Sequence, residues 1–282
     1  MSVLNVGFLR SLWCRAGRRA AAARTRRLWK IRRVTLQVVM LCIIKMVAHT
    51  AGLDLITITP LFSATVASTV FLLGFLLSGV LTDYKESEKI PGEMATALES
   101  LSLEIQAITT YHPNASVDRA LVSVSELGEA LLDWLREGLN TEQLLGTYRR
   151  VHGDVVRAAV QFRGDASTLR GRLMQDLAVL LQRINRVKTI RDTKFVPLVY
   201  WMADIAAILL FAGLVMAKTA NLAESVFFLA VISFIIILLL CLIDDIDNPF
   251  GLGHPDSAEN VSIDLLEQAV HRLKSSLSGE RT

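Results

Sequence analysis

Three stretches of this chain, Pro60 to Thr82, Phe195 to Ala217 and Ser225 to Ile243, are too long and too apolar for a soluble fold of this size to bury. The first and third carry no charged residue, and the second carries only Asp204. A helix of about 20 such residues crosses a hydrocarbon core of roughly 30 Å. Val34 to Gly52 is a fourth candidate, interrupted by Lys45, whose long stem can carry an ammonium group to the interface from near a helix end. The composition agrees: 52% of the residues are hydrophobic and only 20% are charged, more apolar than an ordinary soluble domain. These features predict an all-α integral membrane protein with four transmembrane helices and a large cytoplasmic helical bundle inserted between spans 2 and 3.

Positive charge orients the spans. Residues 1–33 hold Arg10, Arg15, Arg18, Arg19, Arg24, Arg26, Arg27, Lys30, Arg32 and Arg33, and no acidic residue precedes Asp54. That bias places the N-terminus in the cytoplasm. Four spans return the C-terminus to the same side and leave two short external loops, around Asp54 and from Lys218 to Glu224. The chain then divides into a basic amphipathic segment (1–33), spans 1 and 2 (34–82), a cytoplasmic helical region (83–195), spans 3 and 4 (196–243) and a cytoplasmic C-terminal segment (244–282). The expected location is a cell membrane, the bacterial inner membrane above an organelle membrane. Two readings fit residues 1–33: an interfacial helix on anionic headgroups, or a transit peptide. The first is favoured because the arginines run into span 1 with no small-residue cleavage pattern. Lipid headgroups supply all the negative charge this strip needs, so no nucleic-acid partner is implied.

The middle region is polar but patterned. Met94, Leu98, Leu101, Ile105 and Ile108 recur at helical spacing after Pro91, and His112, Pro113 and Asn114 end the run. Leu121, Val124, Leu127, Leu131 and Leu135 make a second stripe; Leu144, Leu145, Tyr148, Val151, Val155 and Val156 make a third. Leu173, Leu177, Leu180, Leu181 and Ile184 make a fourth, backed by arginines. No alternating strand pattern competes with these stripes.

Reactive chemistry is absent from the pattern. Cys14, Cys42 and Cys241 lack paired spacing, and His49, His112, His152, His254 and His271 are scattered, so each histidine reads as a surface or capping residue. No phosphate loop, nucleophile elbow or metalloprotease motif occurs. The chain is expected to be no enzyme, with no cofactor and no metal site.

The second span differs from the other three in its polar pattern. Ala67, Phe71, Phe75, Ser78 and Thr82 share one helical face that mixes small, aromatic and hydroxyl groups. Val66, Val70, Leu73, Leu77 and Val80 form an aliphatic opposite side, suited to lipid or to neighbouring helices. Taken alone, Phe71 and Phe75 also fit ordinary packing. A conduit needs a ring of subunits.

Phe71-Leu-Leu-Gly-Phe75, followed by Asp83-Tyr84-Lys85-Glu86 and Ile90-Pro91-Gly92, resembles the second span of the bestrophin family and its cytoplasmic exit. Val196-Pro-Leu-Val-Tyr200 is similar to the family's entry to span 3, and Asn248-Pro-Phe-Gly251 to its post-membrane motif. The resemblance covers about residues 28 to 275 and extends to a divergent bacterial bestrophin-like group. It implies a homopentameric channel for small ions, an anion such as chloride above a cation, with its axis lined by span 2. It carries the hydrophobic neck onto Phe71 and Phe75, with Ala67 where the family has a larger aliphatic residue, and leaves Ser78 and Thr82 as polar lining. An acidic run follows the post-membrane motif in calcium-activated relatives; here Leu252, Gly253, His254 and Pro255 stand there, and Asp244, Asp245 and Asp247 precede the motif and read as a solvated helix end. Within span 3, Asp204 has three readings: a position near the cytoplasmic interface, a pair with Lys45, or the lining of a side vestibule. A non-conducting membrane scaffold is the alternative to a channel.

Overall fold

A computed structural model describes residues 6–111, 116–160, 167–192, 197–219, 221–247, 249–250 and 260–279, with side chains from residue 28 onward except those of Tyr111, Ser167 and Pro197. His112, Val196, Asn248 and Gly251 to Pro255 lie outside the described residues. The described chain is helical but for one pair of two-residue strands: α1 (Val6–Thr50), β1 (Ile56–Thr57), α2 (Pro60–Tyr111), α3 (Asp118–Leu135), α4 (Thr141–Val160), α5 (Ser167–Asp192), α6 (Pro197–Val215), β2 (Ala217–Lys218), α7 (Leu222–Asp247) and α8 (Asp264–Leu277). It separates into two compact units. One holds Met1–Thr82, Phe195–Asp247 and Asp256–Glu259; the other holds Asp83–Lys194, Asn248–Pro255 and Asn260–Thr282.

Among the described residues of the first unit, three helical segments are long and apolar enough to cross a membrane: the first part of α2, α6 and α7. The basic segment and the weaker span 1 form one continuous helix, α1, where a separate interfacial helix was expected. Residues recurring every three or four positions, Val34, Val38, Leu41 and Cys42, pack on Ile237, Ala230 and Cys241 of α7 and on Phe211 of α6.

Local chemistry sets the element ends. Gly52, at φ +71°, ends α1: its N–H donates to the His49 carbonyl at 3.1 Å and the Leu53 N–H donates to that of Ala48 at 2.9 Å. This closure needs a left-handed residue, which glycine adopts without a Cβ clash. At the start of α2 the Thr59 hydroxyl accepts the Phe62 N–H at 3.3 Å, with Pro60 next to it where its missing N–H costs nothing. Asn221 caps α7 by accepting the Ala223 N–H at 3.0 Å. The two loops expected to be external meet as a parallel ladder, Ile56 opposite Ala217 and Thr57 opposite Lys218.

The second unit is a helical bundle with one core. Met94, Leu98, Leu101, Ile105 and Ile108 of α2 are fully buried, as are Val124, Leu127, Leu131 and Leu135 of α3, Leu144, Val151 and Val155 of α4, and Leu173, Leu180 and Ile184 of α5. Asn140 and Gln143 cap α4 reciprocally, each side chain accepting the other's N–H, at 2.8 and 3.2 Å. Pro91 does not divide α2, which continues for 52 residues. Pro91 is itself buried, so packing holds the helix through a residue that cannot donate to Ser87. The C-terminal segment contains α8, unanticipated as a discrete helix, whose Leu266, Ala269, Val270 and Leu273 complete the core.

Arg191, at the end of α5, donates to the Trp134 and Leu135 carbonyls at 3.2 and 2.8 Å and stacks on the Trp134 ring at 4.9 Å and the Phe250 ring at 6.0 Å. Burial pulls its pKa below the ordinary arginine value. Phe250 of the post-membrane motif is fully buried, and the neighbouring Pro249 carbonyl accepts the Val261 N–H at 2.9 Å.

Helices α3 and α8 meet at Gly128, where an added Cβ would sit 2.7 Å from Cγ2 of Val270. Val270 is stiff at χ1 and cannot swing aside. Gly128→Ala is expected to lower the thermal midpoint of the purified protein: an overpacking cost of about 1–3 kcal/mol outweighs the gain in helix propensity. Adding Val270→Ala should cost less in that background than in the parent. Equal costs in both backgrounds would show that the two helices do not crowd there.

Candidate pore-lining face

The face of α2 that carries Phe71 and Phe75 is left uncovered by its own chain. Phe71 is 76% and Phe75 65% exposed, and Ala67, Ser78 and Thr82 on the same face are exposed too. The opposite stripe, Thr69, Leu73, Leu76 and Val80, is buried within the first unit. That corrects the aliphatic side read from the sequence, since Leu76 takes the place given to Leu77 and Val70 is exposed. Thr69 and Thr82 satisfy their hydroxyls on the carbonyls four residues back, Thr65 and Ser78, at 3.0 and 2.9 Å. A helix can therefore present hydroxyl oxygens in an apolar setting without an unpaired donor. The exposed face brings the five sequence-predicted lining residues together on a surface needing another molecule, or water, against it.

Lys45 does not pair with Asp204. Its ammonium is buried and makes three hydrogen bonds, to the Asp54 carboxylate at 2.7 Å and to the carbonyls of Val215 and Ala217 at 3.0 and 2.5 Å. Three donors meet three acceptors, so the buried charge is both paired and fully bonded. Asp54 also meets His49 Nδ1 at 2.5 Å. The hydrogen bonds from Lys45 and then His49 hold its carboxyl below the usual range. Asp204 lies eleven residues before Val215 along α6, about 16 Å, which is the physical reason the pair cannot form. It is exposed on the face that carries Trp201 and Ile208. The Lys45 cluster was missed because its carbonyl partners carry no sequence signature; only the Asp54 charge nearby hinted at it.

The acidic end of α7 is occupied by its own chain. Asp245 pairs with Lys30, and Asp247 accepts a hydrogen bond from the Tyr200 hydroxyl at 2.5 Å. No group of three or more potential metal-ligating side chains is found among the described residues. His49, His152 and His271 are exposed.

No protein-family model and no curated protein matches this sequence. Solved structures do. A crystal structure of a bacterial bestrophin homolog from Klebsiella pneumoniae, a point mutant, superposes with a TM-score of 0.71 at 16% identity over 89% of this chain and 98% of that one. The structure of that homolog solved by zinc phasing superposes with a TM-score of 0.67 at 15% identity, covering 90% and 99%. The fold is bestrophin-like. The exposed α2 face thus belongs to a membrane protein of bestrophin-like fold, with the motif residues Phe71, Phe75 and Phe250 in defined places within it.

Just past Thr82, Glu86 accepts two hydrogen bonds from Arg186, at 3.0 and 2.5 Å, and these hold its carboxyl below the ordinary 4.5, against a smaller effect of partial burial. A carboxyl whose folded pKa is depressed contributes stability above its unfolded value, and loses it as pH falls through the folded one. Glu86→Gln should therefore lower the thermal midpoint slightly at neutral pH and flatten its decline below about pH 4.5. An unchanged acid slope would remove this ion pair from the account.

Proposed function

We propose that the chain forms a homo-oligomeric channel for small ions, a pentamer by resemblance to the bestrophin family, with α2 from each copy facing a central axis. The observation that carries this reading is the α2 face of Ala67, Phe71, Phe75, Ser78 and Thr82. Two large aromatics more than half exposed in a single chain, followed along the same face by two hydroxyls, suit a lumen better than a lipid-facing surface. In a ring of copies, Phe71 and Phe75 form stacked apolar collars about one helical turn apart, 5.4 Å. An ion in such a collar loses water contacts without polar replacement, so the collar is a barrier that opens by wetting. Ala67 adds little bulk above it. Conduction is passive, and small anions such as chloride are the favoured cargo.

The proposed topology has four spans, with α1 supplying the first, both termini cytoplasmic and the β1 and β2 loops outside. The chain divides at Thr82 and near Phe195 into membrane and cytoplasmic parts, and residues 1–33 meet anionic headgroups of a bacterial inner membrane. In this arrangement Asp204 lies one turn from Tyr200, near the cytoplasmic boundary marked by Trp201. Since Asp245 and Asp247 already hold partners, micromolar calcium should leave open probability unchanged. A calcium-dependent rise that disappears when Asp244, Asp245 and Asp247 are neutralised would contradict this.

The central test is Phe75→Ala in planar bilayers. A lumen-facing side chain has few packing partners to lose, so the variant should assemble normally and carry more current than the parent. A core phenylalanine would instead cost about 3–5 kcal/mol on truncation and lower the yield of oligomer. Poor assembly with no gain in current would defeat the pore assignment, and a parent protein giving no unitary current would favour a scaffold. Topology is checked by single cysteines at Lys218 and Gln182, both exposed: an impermeant maleimide should label only the first on intact cells.

A further inference from the structure

Within the second unit, one flank of α5 faces the later part of α2 and carries Arg172, Asp176, Arg183 and Arg186. Each of the three arginines reaches an acid on α2. Arg172 meets Glu104 at 3.1 Å, Arg183 meets Glu93 at 2.8 Å, and Arg186 makes its two hydrogen bonds to Glu86. Asp176 stands four residues after Arg172 and seven before Arg183, so it shares their flank with the opposite sign. What it meets on α2 is the Ser100 hydroxyl, which donates to its carboxylate, and the charge of Glu104 one turn further on. Here the seam sets an acid against an acid.

Asp176 also borders the core. Leu173 and Leu180, on either side of it along the helix, are fully buried. Its Oδ2 is closed to solvent and meets no hydrogen-bond partner among the described residues. Such an oxygen is costlier in an ionised carboxylate than in a neutral acid. Burial accordingly raises the Asp176 carboxyl above the ordinary 3.8; the Ser100 hydrogen bond opposes this and the Glu104 charge adds to it. The surrounding charges are engaged elsewhere. Arg172 and Arg183 hold Glu104 and Glu93, Arg170 donates from Nε to the Ala159 carbonyl at 3.2 Å, and Glu99 is held by Arg272 at 2.6 Å. From α4, Tyr148 reaches this turn of α5: its hydroxyl donates to the Leu177 carbonyl at 2.8 Å, and burial raises its pKa and keeps it neutral.

We infer that Asp176 is a proton-binding site that ties the packing of α5 on α2 to pH, the seam tightening as Asp176 takes up a proton and loosening as it ionises. Nothing in this rests on the channel reading. A proton removes both the repulsion from Glu104 and the uncompensated charge beside Leu173 and Leu180. A carboxyl whose folded pKa is raised contributes stability that is complete below its unfolded value and is lost as pH rises through the folded one. The Glu86 pair of the same seam responds with the opposite sign, so the two groups shape opposing limbs of one pH profile.

The test is Asp176→Asn, which is permanently neutral at nearly the same size, in the purified full chain. Its thermal midpoint should exceed the parent's at about pH 7.5, and the difference should vanish toward about pH 4, where the parent is protonated as well. Infrared difference spectra between the same two pH values should show a protonated-carboxyl band in the parent that the variant lacks. Ser100→Ala removes a hydrogen bond to the ionised form, so it should move the titration of that band to higher pH. A midpoint difference that is the same at all pH values, or a band that persists in Asp176→Asn, overturns the inference. If the Asn variant does not fold, Ser100→Ala decides, and a titration that stays where the parent's lies overturns the inference.

Discussion

A backbone in hydrocarbon has no water to bond, so every N–H and C=O group in a spanning segment must be satisfied inside its own helix. The consequences run through the first unit. Its apolar segments are unbroken helices, and the irregular backbone is confined to their ends, where each loose group meets a specific acceptor or donor. Gly52 closes α1, Thr59 opens α2, and the two short connections bond to each other as β1 and β2. Lys45 lies where these ends converge. Its ammonium consumes the carbonyls that α6 and β2 leave unpaired and fixes Asp54 beside them. A charge that looks misplaced within an apolar run is therefore a fastener for backbone that helical bonding cannot reach.

The helices of the second unit were legible in the sequence because each carries an apolar side and a polar side. Val124, Leu127, Leu131 and Leu135 had to be buried, and the polar residues between them had to be outside. In the membrane segments that contrast vanishes, since lipid and protein are both apolar. Leu76 and Leu77 are chemically the same, yet Leu76 is fully buried and Leu77 only partly so. What remained readable in α2 was the face that departs from aliphatic, because Phe71, Phe75, Ser78 and Thr82 share one register and are all exposed. The partners of Lys45 were hidden for another reason: two of them are main-chain carbonyls, which every residue has.

Helix α8 and the passage of α2 through Pro91 escaped for reasons of length and of priority. The α8 segment spans 14 residues beyond the last apolar run, and its stripe is short. Pro91 costs a helix about 3 kcal/mol when nothing compensates. Here Ile90, Met94, Leu98 and Leu101 flank it with fully buried side chains, and burying four such groups is worth about 1.5–3 kcal/mol each. Tertiary burial thus exceeds the local penalty, which is why a residue that ends most helices does not end this one.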